Sequence, residues 1–169
     1  MSNIDIAKFR QLSEEALLNR GFRKLKVNRG LKAADAYWAY ALEGSEVRRI
    51  FSPNALRRPW GYEMRGAFGI EVPELRSWLI SIGHEQPDAT LGYVMANEFE
   101  FINAVAVCTE ADWPKIEPWF DAIYSRVMSF PASVDELVGS LSNPARHLRL
   151  LRESRKDFWQ NFQRWQEKA

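Results

Sequence analysis

The sequence predicts an α+β domain: an antiparallel sheet of about five strands, helices packed on one face, and a long C-terminal helix. Three patterns carry that prediction. Apolar residues alternate with a period of two through the middle of the chain, in Trp38, Tyr40 and Leu42 and again from Trp60 to Val72. They recur at three and four at both ends. The order is helix, three strands, helix, two strands, three helices, which groups the strands as antiparallel pairing requires. A chain of 169 residues without an internal repeat or linker is expected to be one domain over 1–169. It can bury roughly two-thirds of its unfolded surface without a metal or disulfide staple.

Residues 4–20 read as an amphipathic helix through Ile6, Phe9, Leu12, Ala16 and Leu17. Gly21 suits the left-handed position after it, with Phe22 returning to Leu17 in a Schellman ending. "FRKLKVN" reads as a strand and "NRGLKAAD" as turn and loop. A strand is expected over 36–43, a hairpin turn at 43–46 and a return strand over 47–52. "PNALRRP" (53–59) begins and ends in proline and reads as a loop.

Trp60, Tyr62, Met64, Phe68, Ile70 and Val72 then share one strand face, with Gly66 in the same register. Gly61, Glu63, Arg65, Ala67, Gly69 and Glu71 take the other. Pro73 ends the strand and opens a helix over 73–81. Residues 89–95 and 98–107 are expected to pair as a hairpin around Ala96-Asn97. Thr109 and Asp112 form a capping-box pattern before a helix over 112–128, with Pro118 about one turn in. "SVDE" (133–136) caps a short helix to about Leu141. Asn143 and Pro144 are expected to start the last helix, from 144 to about 167. Its stripe is Leu148, Leu151, Phe158, Phe162 and Trp165, interrupted by Arg155.

Several chemistries lack their residues. A P-loop needs Lys and Ser/Thr directly after its last glycine, whereas Gly66 is followed by Ala67-Phe68-Gly69. A dinucleotide loop lies between strand and helix, but these glycines sit inside a strand alternation. With His84, His147 and Cys108 as the only histidines and cysteine, no zinc spacing exists. A Cys108–His147 nucleophilic pair is conceivable, though Cys108 closes an apolar strand, where cysteine is usually inert. Glu98 and Glu100, with Glu63 and Glu71, would form an acidic sheet face if their strands were neighbours; the plain expectation is a solvated outer face. Neither cofactor nor metal is expected.

Net charge is +1, so the balance argues against nucleic acid. Its distribution is uneven: 12 Lys/Arg against 6 Asp/Glu over 1–62, 3 against 11 over 63–121, and 8 against 5 over 122–169. The N-terminus lacks the pattern of a signal peptide, and no run is apolar enough for a membrane span. With a single cysteine, a cytoplasmic setting is expected.

"ALLNRGFRKLKVNRG", "RGAFGIEVPELRSWL" and "PWFDAIYSRVMSFPASVDELVGSL" resemble segments of a family of mostly bacterial proteins, domain of unknown function 4304. The resemblance spans about residues 10–141. It implies an α+β fold and supplies no catalytic residue.

The expected function is a non-enzymatic protein-interaction or regulatory module of an immunity-like kind. Candidate binding residues are Trp60, Glu63, Arg65, Arg57, Arg58 and Trp38, which combine aromatic surface with charge. Two alternatives stay open. One is a small-ligand binder or enzyme with a pocket between the sheet and the last helices. The other is nucleic-acid binding through the basic segments.

Overall fold

The longest alternation in the sequence becomes the centre of a six-stranded antiparallel sheet. In this computed structural model, residues 3–33, 36–84, 93–97 and 105–168 are described. The elements run α1 (Ile6–Leu18), β1 (Arg23–Lys24), α2 (Arg29–Ala33), β2 (Tyr40–Leu42), β3 (Arg48–Arg58), β4 (Gly61–Glu71) and α3 (Pro73–Ser81). They continue as β5 (Tyr93–Asn97), β6 (Val105–Val107), a 3-10 turn (Glu110–Lys115), α4 (Glu117–Met128), α5 (Val134–Leu141), α6 (Arg146–Ser154) and α7 (Lys156–Gln166). The sheet order is β1-β2-β3-β4-β5, with β6 also on β4.

Local signals place several helix ends. Gly21 has φ +86, the Phe22 amide donates to the Leu17 carbonyl at 3.1 Å, and that of Gly21 to Leu18 at 3.0 Å. These are the two bonds of a Schellman ending. Ser133 accepts from the Glu136 amide, and the Thr109–Asp112 capping box forms. Pro73 opens α3.

The even-numbered residues of β4 face the main core. Met64, Phe68 and Ile70 meet Phe9 and Leu17 of α1, Phe120 and Ile123 of α4, Leu137 of α5, and Phe158 and Phe162 of α7. The C-terminal aromatic stripe therefore packs on the chain's own core. The opposite sheet face carries a second apolar cluster, in which Leu31 of α2, Ala36 and Ala39 cover Ala41, Ile50, Tyr93 and Met95.

Six expectations are corrected. "PNALRRP" is not a loop: β3 runs through it to Arg58, in unbroken register with β4. Residues 36–39 are not strand, because they leave the sheet line to fill the second cluster with Ala36 and Ala39. "NRGLKAAD" contains the helix α2. The hairpin around Ala96-Asn97 does not form. β5 pairs Glu71–Ala67 and β6 pairs Met64–Tyr62, both antiparallel to β4, so they run in one direction along a single edge. The rest of those two predicted strands, including Glu98, Phe99, Glu100, Phe101 and Asn103, lies outside the described residues.

After α5 the chain also departs from expectation. Ala145, not Asn143, precedes its next helix, and the single long helix is broken at Arg155, which is extended (φ −146, ψ 94). In an unbroken helix position 155 would follow Leu151 by four and precede Phe158 by three, placing a guanidinium in the core stripe. The break turns it to Asp157 instead, at 2.9 Å. Similarly, the helix expected over 112–128 is a 3-10 turn followed by α4, with Pro118 in the first turn of α4, where a missing N–H costs nothing.

Candidate functional site

The three glycines of β4 are packing devices. A Cβ at Gly66 would lie 2.1 Å from the Phe51 ring, and one at Gly69 2.2 Å from the Val94 carbonyl oxygen. Gly61, at φ +147, lies against the Val107 carbonyl. Neighbouring strands and a core ring fill the space a phosphate would need.

The six candidate binding residues fall into separate places. Arg58, Glu63 and Arg65 come together on the sheet face away from the main core. Arg58 Nε donates to Glu63 Oε2 at 3.1 Å, and Arg65 to Oε1 of the same carboxylate. Desolvation pushes the Glu63 carboxyl up, but the bonds from Arg65 and Arg58 outweigh it and hold it below the ordinary value. Arg57, beside them in sequence, projects to the other face and is exposed. Trp60 is exposed in the two-residue turn between β3 and β4.

Trp38 belongs to a different neighbourhood, beside α1. Its indole N–H donates to the Tyr40 hydroxyl at 2.6 Å, and that hydroxyl donates to Glu14 Oε2 at 2.8 Å. Lys24 Nζ reaches the same oxygen at 2.6 Å. The bonds from Lys24 and then Tyr40 hold the Glu14 carboxyl low. Burial, then the adjacent carboxylate, pushes the Tyr40 hydroxyl well above its ordinary value. Arg10 lies over the Trp38 ring, 6.0 Å from its centroid. Arg10, Glu14, Lys24 and Trp38 line an open cleft of about 630 Å³ with Gln11 and Tyr37, a residue 66% exposed; Tyr40 lies buried behind it.

Sequence reasoning missed Glu14 and Tyr40, which lie 26 residues apart and carry no spacing signal. It also misplaced Glu71. That carboxylate is not solvated but 1% exposed, between Arg48 and, at 3.7 Å, Arg76. Tyr93 stands beside it, held by Asn28 Nδ2 at 2.9 Å. The main force on the Tyr93 hydroxyl is desolvation, which raises its pKa.

A second open cleft, of about 520 Å³, lies where α6 meets α7 and is lined by Arg149, Arg152, Glu153 and Lys156. Cys108 is half-buried, and its backbone N–H donates to Asp112 Oδ2 at 3.1 Å. The His147 side chain lies outside the described residues. Among the described residues, no group of three or more His, Cys, Asp or Glu is placed to hold a metal ion. No helix among them is long and apolar enough to cross a membrane. In comparisons with protein-family models, curated proteins and solved structures, the chain matches none of them.

Proposed function

We propose that the protein is a non-enzymatic interaction module that docks a protein partner in the cleft beside α1. The observation that carries this reading is the aromatic pair at the cleft, an exposed Tyr37 beside a Trp38 ring that is fixed in place. The chain Trp38–Tyr40–Glu14–Lys24 already satisfies the indole N–H, so the ring is held without a partner's help. A rigid aromatic surface with satisfied polar atoms loses little entropy on docking. The ionisable groups support the same reading. Glu14, Glu43, Asp112 and Asp157 are held toward the anion and Tyr40 toward the neutral phenol. Acid–base catalysis favours groups poised near the working pH, and these are driven away from it. The setting proposed is a bacterial cytoplasm, from the single cysteine and the resemblance to the 4304 family.

A photo-crosslinking residue at position 37 tests the reading in cells. A defined adduct is expected. The purified adduct partner should lose about tenfold or more in affinity on Trp38→Ala. Ile80→Ala, on the exposed face of α3, should leave it unchanged. Equal effects of the two variants would refute the docking site. The polyanion reading rests on Arg149, Arg152 and Lys156 in the second cleft. It predicts nucleic-acid affinity that falls steeply with salt.

A further inference from the structure

We propose that the outer edge of β3, from Asn54 to Arg58, accepts an added strand from an extended acidic peptide; this rests on the reading of the protein as an interaction module. β3 pairs with β4 along its whole length, but β2 covers only Arg49–Phe51 on the other side. Arg58 and Gly61 flank a two-residue turn, so they exchange hydrogen bonds. Alternate residues then bond to β4, and Pro53, Ala55 and Arg57 turn their peptide groups outward. Pro53, just before the accessible stretch, is buried, and its missing N–H leaves no unmet donor there. Among the described residues, nothing bonds to the outward N–H groups of Ala55 and Arg57. An added strand would satisfy them in the manner of β-augmentation.

Charge selects the occupant. Arg57 is exposed and has no carboxylate partner among the described residues. Arg58 lies beside it, bonded to Glu63. A second copy of this edge would bring the same arginines against themselves, which is unfavourable across a strand pair. A peptide with glutamates on one face and apolar residues on the other sets acid beside Arg57 and apolar surface beside the half-buried Leu56. The edge begins next to the proposed docking cleft, because Ser52 Oγ donates to the Trp38 carbonyl at 2.8 Å.

The test uses the full chain and two labelled peptides, one alternating valine and glutamate, the other valine and lysine. The valine–glutamate peptide is expected to bind, to slow amide exchange at Ala55 and Arg57, and to outcompete the lysine peptide. Ala55→Pro removes one outward N–H and no β3–β4 bond, and Arg57→Glu reverses an exposed charge. With unchanged unfolding midpoints, each is expected to weaken binding about tenfold or more. Absent binding at about 1 mM peptide, equal binding of both peptides, or binding indifferent to Ala55→Pro overturns the proposal. So does a concentration-dependent dimer that Ala55→Pro abolishes, since a second copy would then be the occupant. Crosslinking at position 37 that persists beside any of these failures leaves the module reading standing and removes the edge.

Discussion

Replacing Gly66 by alanine tests the packing account of β4 where it is most exposed to refutation. A Cβ at position 66 would lie 2.1 Å from Cε2 and 2.6 Å from Cζ of Phe51, and 3.1 Å from the Ser52 carbonyl oxygen. Carbon pairs settle at about 3.5–4.0 Å, so the ring must retreat by more than an ångström. It has nowhere to go. Phe51 is fully buried, with Phe68 at 5.3 Å and Trp119 at 6.1 Å between centroids. Overpacking of this kind costs about 1–3 kcal/mol. Alanine recovers roughly 0.5–1 kcal/mol of that through a less mobile unfolded chain. A contact this short puts the cost in the upper half of that range, about 2–3 kcal/mol, so the net expectation is a loss of about 1–2.5 kcal/mol, or roughly 2–10 °C in melting temperature for a chain of this length. Urea unfolding and thermal melts followed by circular dichroism measure it. Gly139→Ala is the control, because position 139 is an exposed site in α5 with nothing within 4 Å of a Cβ. It should gain up to about 1 kcal/mol. Adding Phe51→Leu, which removes the clashing ring atoms, should make the double variant's loss smaller than the sum of the single losses. A Gly66→Ala protein as stable as the parent would refute the reasoning.

Three further outcomes follow from the same contacts. Glu71→Gln leaves Arg48 and Arg76 facing a neutral amide in a site where the carboxylate is 1% exposed. Both arginines are partly solvated, so a loss of about 2–3 kcal/mol in urea unfolding is expected, at the lower end for a broken buried pair. The folded-state pKa values of Glu14, Glu43 and Asp157 lie below their ordinary values. The stability they contribute is fully present above the unfolded carboxylate pKa, about 4, and is lost as pH falls through the folded values. Melting temperature should therefore drop below about pH 4, and Glu14→Gln should flatten that limb. Tyr40 adds an alkaline limb, lost as pH rises above about 10. Finally, a chain truncated before residue 157 loses Phe158 and Phe162, which are 3% and 2% exposed in the main core. Gross unfolding in circular dichroism is expected; a folded product would mean that α7 is dispensable to the core.

The parts of this fold legible in sequence are those decided within a few residues. Gly21 with Phe22, Ser133 with Glu136, and Thr109 with Asp112 each close a helix end through bonds spanning three to five positions. Strand extent was less legible, because distant partners decide it. Pro53 reads as a breaker, yet eleven consecutive pairs with β4 hold it in strand. The collinear β5 and β6 look like a hairpin until β4 is seen to pair with both. Glu71 reads as a solvated face because its partners, Arg48 and Arg76, arrive from β3 and α3. Of the candidate binding residues, adjacency gathered Arg58, Glu63 and Arg65. The setting of Trp38 was hidden, because its partner Tyr40 leads to Glu14 on α1.

The open edge of β3 is a consequence of the two-sided core. In antiparallel register, residues just before Tyr40 would have continued β2 beside Pro53 and Asn54. The chain instead joins the sheet only at Tyr40 and places Ala36, Ala39 and Leu31 over Ile50 and Met95. Covering the second face thus takes the segment that would have covered the edge. Such an edge invites self-pairing, and a proline with unshared positive charge is a known defence. Pro53 and Arg57 fit that role, but Pro53 blocks only one of the outward positions. Among the described residues nothing bonds to the amides of Ala55 and Arg57, while the charge of Arg57 disfavours a second copy. An edge that is merely tolerated would be improved by a second proline at 55, at no cost to any partner. An edge that is used would lose its partner to the same change, so Ala55→Pro separates protection from recognition.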